Sequence, residues 1–150
     1  MGPVHNPNSS QSEIIHASCV RVAAKAVLIR GASGTGKSSL ALQLTAFGGE
    51  LVADDRTILS VSNNVLFAAC PDPIDGKIEA RGVGILRLPS AGQTPVALLV
   101  DMNKAEDARL PYRHTEMLLG VTLPCLWNAP SPHFAAAVLQ YLRHGIDHKI

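Results

Sequence analysis

Residues 24–48 read AKAVLIRGASGTGKSSLALQLTAFG, which is an apolar run, a glycine-rich turn and a second apolar run of different period. Residues 26–29 are apolar and include two β-branched side chains, as a buried strand requires. Over residues 38–47, Leu40, Ala41, Leu44 and Phe47 fall on one helical face, and Gly48-Gly49 supplies a helix stop. Between strand and helix, Gly31, Ala32, Ser33, Gly34, Thr35, Gly36, Lys37 and Ser38 fit G-x-x-x-x-G-K-[ST], and Ser39 extends the polar set. Glycines let the backbone curl so that successive N–H groups face inward as an anion nest. The helix adds its free N-terminal N–H groups and the positive end of its dipole. Lys37 then supplies an ammonium for terminal phosphates and Ser38 a hydroxyl for magnesium. A turn that merely links strand to helix has no use for the lysine. The stretch predicts nucleotide phosphate binding.

The rest of the chain bounds what surrounds that loop. At 150 residues it is one domain with room for a core, and 47% apolar against 17% charged residues excludes a disordered chain. A formal charge of +1 argues against bulk electrostatic binding of nucleic acid, and 4% aromatic residues leave few platforms for stacking bases. Cys19, Cys70 and Cys125 show no paired spacing and sit in or beside apolar runs, as buried thiols of a reducing cytoplasm do. No run approaches membrane-spanning length and the N-terminus lacks a signal-peptide core, so a cytoplasmic protein without a membrane partner is expected. Residues 1–13, polar and carrying Pro3 and Pro7, are expected to be a flexible tail, residues 14–143 the domain, and residues 144–150 a second tail.

Taken in order, residues 14–22 alternate as one strand that turns at residues 23–25 into the phosphate-loop strand. His16 lies in that first strand, and pattern alone gives it a structural place. Residues 50–53 form a short strand ending in Asp54-Asp55-Arg56. The C-terminal edge of such a sheet is where ligands sit. A carboxylate there holds magnesium, accepts a proton from an attacking hydroxyl, or is simply solvated. Neighbouring strand residues point to opposite faces, so the two aspartates do different jobs. Residues 57–69 predict a hairpin about Ser62-Asn63-Asn64, and residues 71–76 a loop. In residues 77–87, KIEARGVGILR, Glu79 is either a second metal-side carboxylate or a solvated charge, and Gly82 and Gly84 permit a bend. Residues 96–100 are a strongly apolar strand leading to Asp101, a Walker-B aspartate or a strand-end charge. Residues 103–113 form a charged loop in which Arg109 and Arg113 are available to phosphate. Residues 116–119 and 121–126 are strands, and residues 132–143 a helix with Phe134, Ala135, Val138, Leu139 and Leu142 inward. His144 and His148 sit four apart without further ligands and read as tail residues.

Three stretches in this order, GASGTGKSSLALQL, LVADDR and IEARGVGIL, resemble the catalytic domain of HPr kinase/phosphorylase, the bacterial enzyme that phosphorylates a serine of the phosphocarrier HPr. The likeness covers about residues 14–126 and suits a short form without the usual N-terminal domain. It implies an α/β P-loop domain with a mixed, strand-rich sheet, phosphoenolpyruvate carboxykinase-like, with two main helices. It implies ATP and Mg2+ as cofactors, Lys37 on the nucleotide phosphates, and Ser38 with Glu79 on magnesium. Asp55 becomes the residue that takes the proton from the substrate serine, with Asp54 shaping or sharing that role. His16 matches a catalytic histidine upstream of the loop, and Arg109 a catalytic arginine. The implied partner is an HPr-type carrier of the sugar/nitrogen phosphotransferase system, and the implied assembly a homo-oligomer, hexameric in the family. Longer members carry an arginine-bearing loop near P-V-R-P-G-R, whereas residues 124–133 here, PCLWNAPSPH, hold no Lys or Arg. That difference argues against phosphorylase activity and against the usual subunit contact. A small-molecule P-loop kinase and a non-catalytic nucleotide sensor are the competing functions. A substrate panel separates the first from a carrier kinase, and ATP turnover separates both from the second.

Overall fold

The computed structural model describes residues 11–71 and 75–147. Residues 1–10 of the expected N-terminal tail and 148–150 of the expected C-terminal tail, His148 among them, therefore lie outside the described residues. The expected N-terminal tail ends early, because β1 (Gln11–Ile15) pairs antiparallel with β5 (Thr57–Ser62) and takes in Gln11, Ser12 and Glu13. The single strand expected over residues 14–22 is two strands. After a bend at His16 the chain leaves β5 and, as β2 (Ala17–Val22), pairs with β3 (Lys25–Arg30) and β4 (Glu50–Ala53). The break marks a change of hydrogen-bonding partner, which side-chain alternation does not reveal.

Strand β3 ends in the glycine-rich loop, and α1 (Lys37–Ala46) follows. The helix stops in a Schellman arrangement, with Gly48 N–H donating to the Thr45 carbonyl and Gly49 N–H to the Leu44 carbonyl. Gly48 adopts φ 106°, as that termination requires. Beyond β4, β5 and β6 (Val65–Ala69) make the expected hairpin. Residues 77–87 are also a hairpin, β7 (Lys77–Ala80) with β8 (Gly84–Arg87), the bend falling at Gly82. Strand β9 (Thr94–Ala105) runs farther than expected and absorbs residues 103–105 of the expected loop. Strands β10 (His114–Leu118) and β11 (Val121–Asn128) and helix α2 (Phe134–His144) complete the chain.

Nine strands join in one mixed sheet in the order β1-β5-β6-β9-β3-β2-β4, with β11 also on β9 and β10 on β11. Among the described strand pairs, β3–β9 and β9–β11 are parallel, so the C-terminal ends of these three strands share an edge. Strands β3 and β9 are buried on both faces, which is why both read as continuous apolar runs. Val27, Ile29, Leu98 and Val100 pack with Leu40, Leu44, Val138 and Leu142 of the two helices. Leu28 and Leu99, from the alternate positions, pack on the other face with Leu59, Leu66 and Leu123. The result is the strand-rich mixed sheet with two helices implied by the sequence.

Candidate active site

The glycine-rich loop sits at the shared C-terminal edge of β3 and β9 and is folded on one carbonyl. The Ala32 oxygen accepts from Thr35 N–H at 3.2 Å, from Thr35 Oγ1 at 2.7 Å and from Lys37 Nζ at 3.3 Å. Ala32 N–H in turn donates to Asn103 Oδ1 at 2.8 Å, tying the loop to β9. The loop crosses β9 so closely that a Cβ on Gly31 would meet Met102 Cβ at 2.9 Å and Thr35 Oγ1 at 2.6 Å. Gly36, at φ 101°, turns the chain into the helix. Ala32, Ser33 and Gly34 form the exposed tip, while Lys37 is buried with its ammonium turned back to the loop. A buried cation resting on one carbonyl is poised for an anion seated in the nest.

Ser38 faces away from the tip and donates its hydroxyl to Asp54 Oδ1 at 2.7 Å. The same oxygen accepts from Ser18 Oγ on β2 at 2.9 Å, and Asp54 Oδ2 accepts from Glu79 N–H at 3.4 Å. Asp54 therefore joins β2, α1 and the β7–β8 hairpin at the end of β4. Asp55 is exposed, in the left-handed region at φ 66°, and its N–H donates to Ser18 Oγ at 3.2 Å. The Asp55 carbonyl accepts from Ala17 N–H at 3.1 Å, which holds the His16 bend beside the aspartate turn. One carboxylate of the pair is thus engaged by its neighbours and the other faces solvent.

Among the described residues no three His, Cys, Asp or Glu side chains converge as a metal site. Magnesium does not require one, since it is held by one or two carboxylates together with substrate phosphates. The Ser38 hydroxyl and the Asp54 carboxylate, with Glu79 adjoining, are hard oxygen donors suited to it. Arg109 is exposed in the segment after β9, and no described contact brings it to the loop. Asp101, the other aspartate at this edge, is engaged by its neighbours. It is buried, Oδ2 lies 3.1 Å from Arg30 Nη2, and Oδ1 accepts from Asn103 N–H at 2.9 Å. Ser18 and Asn103 escaped sequence reasoning. The signal for Asn103 was D-M-N directly after the apolar strand that pairs with the loop strand, whereas nothing local marks Ser18.

Cys19 and Cys125 are buried free thiols. Burial raises both thiols, and Cys125 is pushed up to about 11 by burial and by the nearby Asp101 charge. Beyond β9, His114 Nε2 lies 2.8 Å from Glu106 Oε1, and the imidazole stacks on Trp127 with ring centroids 3.6 Å apart. No helix among the described residues is long and apolar enough to cross a membrane.

The model of the HPr Serine kinase C-terminal domain family matches residues 8–109. An HPr kinase/phosphorylase of Aromatoleum aromaticum is 36% identical over 126 residues, 75% of this chain and 40% of the relative. One of Stenotrophomonas maltophilia is 38% identical over 76 residues, 50% of this chain and 24% of the relative. This chain thus spans well under half the length of these relatives. The solved HPr(Ser) kinase/phosphatase of Coxiella burnetii superposes with a TM-score of 0.74 at 28% identity, covering 87% of this chain and 94% of that one.

Proposed function

This chain belongs to the HPr Serine kinase C-terminal domain family, and from that premise we propose that it transfers the γ-phosphoryl group of ATP, with Mg2+, to a serine of an HPr-type phosphocarrier. The observation that carries this is the pairing of Ser38 with Asp54 at 2.7 Å beneath the loop, with Asp55 next in sequence and open to solvent. Phosphoryl transfer needs positioning and charge neutralisation more than covalent chemistry from the protein. The nest holds the phosphates and Lys37 neutralises their outer charge. Ser38, Asp54 and Glu79 would hold magnesium, which supplies Lewis-acid stabilisation of phosphoryl oxygens. Asp55 orients the incoming serine hydroxyl and takes its proton as the phosphorus–oxygen bond forms. His16, held beside the same turn, supports that acceptor side. Residues 124–133 hold no Lys or Arg for a phosphoserine, which favours the kinase direction over dephosphorylation.

The test is transfer from labelled ATP and magnesium to purified HPr-type carriers, with Asp55→Asn run beside the unaltered protein. Labelling of a carrier serine that the variant abolishes supports both the reaction and the base. ATP binding without transfer to any carrier would sink the kinase assignment and leave a nucleotide sensor.

A further inference from the structure

The backbone pairing of β3 with β9 ends at Arg30 and Asp101, and there the phosphate loop leaves the sheet. Two residues beyond that last pair, Asn103 Oδ1 accepts from Ala32 N–H at 2.8 Å, so a side chain carries the pairing one step into the loop. Asn103 is itself held, because its own N–H donates to Asp101 Oδ1 at 2.9 Å. Asp101 is buried, and its other oxygen lies 3.1 Å from Arg30 Nη2. We propose that Asn103 is a positioning residue of the phosphate site, fixing the first turn of the loop in the form that receives phosphates and so setting the affinity for any polyphosphate, with or without a nucleoside. The inference rests on the loop binding phosphates and adds a residue that lies outside G-x-x-x-x-G-K-[ST].

A role in the fold alone fits this bond poorly. The two strands are already joined by their ladder and by the Arg30–Asp101 ion pair, and both Ala32 and Asn103 are exposed. What the bond governs lies on the loop side. Ala32 is held at both ends, its N–H by Asn103 and its carbonyl by Thr35 N–H, Thr35 Oγ1 and Lys37 Nζ. The N–H groups of Ser33, Gly34 and Gly36, which follow it, have no acceptor among the described residues. Fixing Ala32 therefore orders the stretch whose donors are free for a ligand before the ligand arrives, and such preorganisation appears as affinity. The charges behind Asn103 are balanced as well. Asp101 and Glu116 share the Arg30 guanidinium, at 3.1 and 3.0 Å, and Lys104 lies 3.9 Å from Glu116. The support thus brings no net negative charge to repel a phosphate.

The experiment compares the unaltered protein with Asn103→Ala and Asn103→Asp. Calorimetric titration with ATP and, separately, with pyrophosphate, both with magnesium, reads affinity. Hydrogen exchange of the Ala32 amide in the free protein, followed by NMR, reads the bond itself. Asn103 is exposed, so neither substitution removes core packing. Asn103→Ala is expected to weaken the Kd for both ligands by a common factor of about threefold to tenfold and to speed Ala32 exchange, with the urea midpoint of the free protein unchanged. Asn103→Asp keeps an acceptor at the same reach and is expected to retain the protection of Ala32. Unchanged affinity in Asn103→Ala, a loss confined to ATP, or Ala32 exchange indifferent to the acceptor overturns the positioning role while leaving the phosphate loop intact. Failure of the unaltered protein to bind either ligand overturns the reading of the loop itself, and this inference with it.

Discussion

Asp54 accepts hydrogen bonds from two hydroxyls and one backbone N–H, whereas the side chain of Asp55 is left to solvent by a left-handed backbone. Neutralising the two carboxylates should therefore give different losses. Asp55→Asn is expected to lower transfer by about two to four orders of magnitude and to leave ATP affinity unchanged, because the lost group acts on the acceptor hydroxyl. Asp54→Asn removes a charge adjoining the Ser38 hydroxyl, and is expected to abolish the magnesium dependence of ATP affinity. Titration of each variant with ATP, with and without magnesium, reads both effects. If Asp55→Asn loses the metal dependence and Asp54→Asn keeps it, the roles are reversed. The D-D pair and its strand-end position were legible in the sequence. Which aspartate faces the helix was not, because it depends on the positive φ of Asp55 and on Ser18, 36 residues away.

Two hairpins show how far turn chemistry can be read from the sequence and where tertiary structure overrides it. The β5–β6 turn uses Asn63-Asn64 at φ 52° and 64°, and asparagine is one of the residues that tolerates this conformation. The β2–β3 turn has nearly the same geometry, φ 51° and 65°, but is made by Ala23-Ala24. Alanine carries a Cβ penalty there, borne by the mostly buried strands on either side. Ala24→Gly is expected to stabilise the protein by about 0.5–1 kcal/mol, read as a higher urea midpoint at unchanged slope. A lower midpoint would show that the strain is relieved in some other way. The pairing of His114 with Glu106 joins the segment after β9 to β10 and was also illegible, since it depends on where an irregular stretch turns. That hydrogen bond holds the Glu106 carboxyl below its ordinary value of 4.5. The native state then binds fewer protons than the unfolded state, so the stabilisation is fully present above pH 4.5 and fades as pH falls through the native value. Glu106→Gln should flatten this part of the stability–pH profile. Parallel profiles for the two proteins over that range would refute the linkage.

At the scale of the molecule, the helices cover one face of the sheet, side chains of β5, β6 and β11 gather with those of β3 in the core on the other, and β9 contributes side chains to both cores. The phosphate site is assembled from the same elements: the loop after β3, Asn103 on β9, Ser18 on β2 and Asp54 after β4. A ligand in the loop therefore engages a structure that exists only when both cores are formed. Such a domain should unfold in one step, with the fluorescence of its single tryptophan, Trp127, and the far-UV circular dichroism changing together. A ligand that binds only the folded state at one hundred times its Kd adds about 2.7 kcal/mol. For a chain of this size that is a rise in Tm of about 5–10 °C. ATP with magnesium should move both signals by that same amount. If the fluorescence transition moved alone, the Trp127 region would be a separate unit and the shared-core account would fail. If neither moved at saturating nucleotide, the loop would not be binding ATP, however well its backbone is formed.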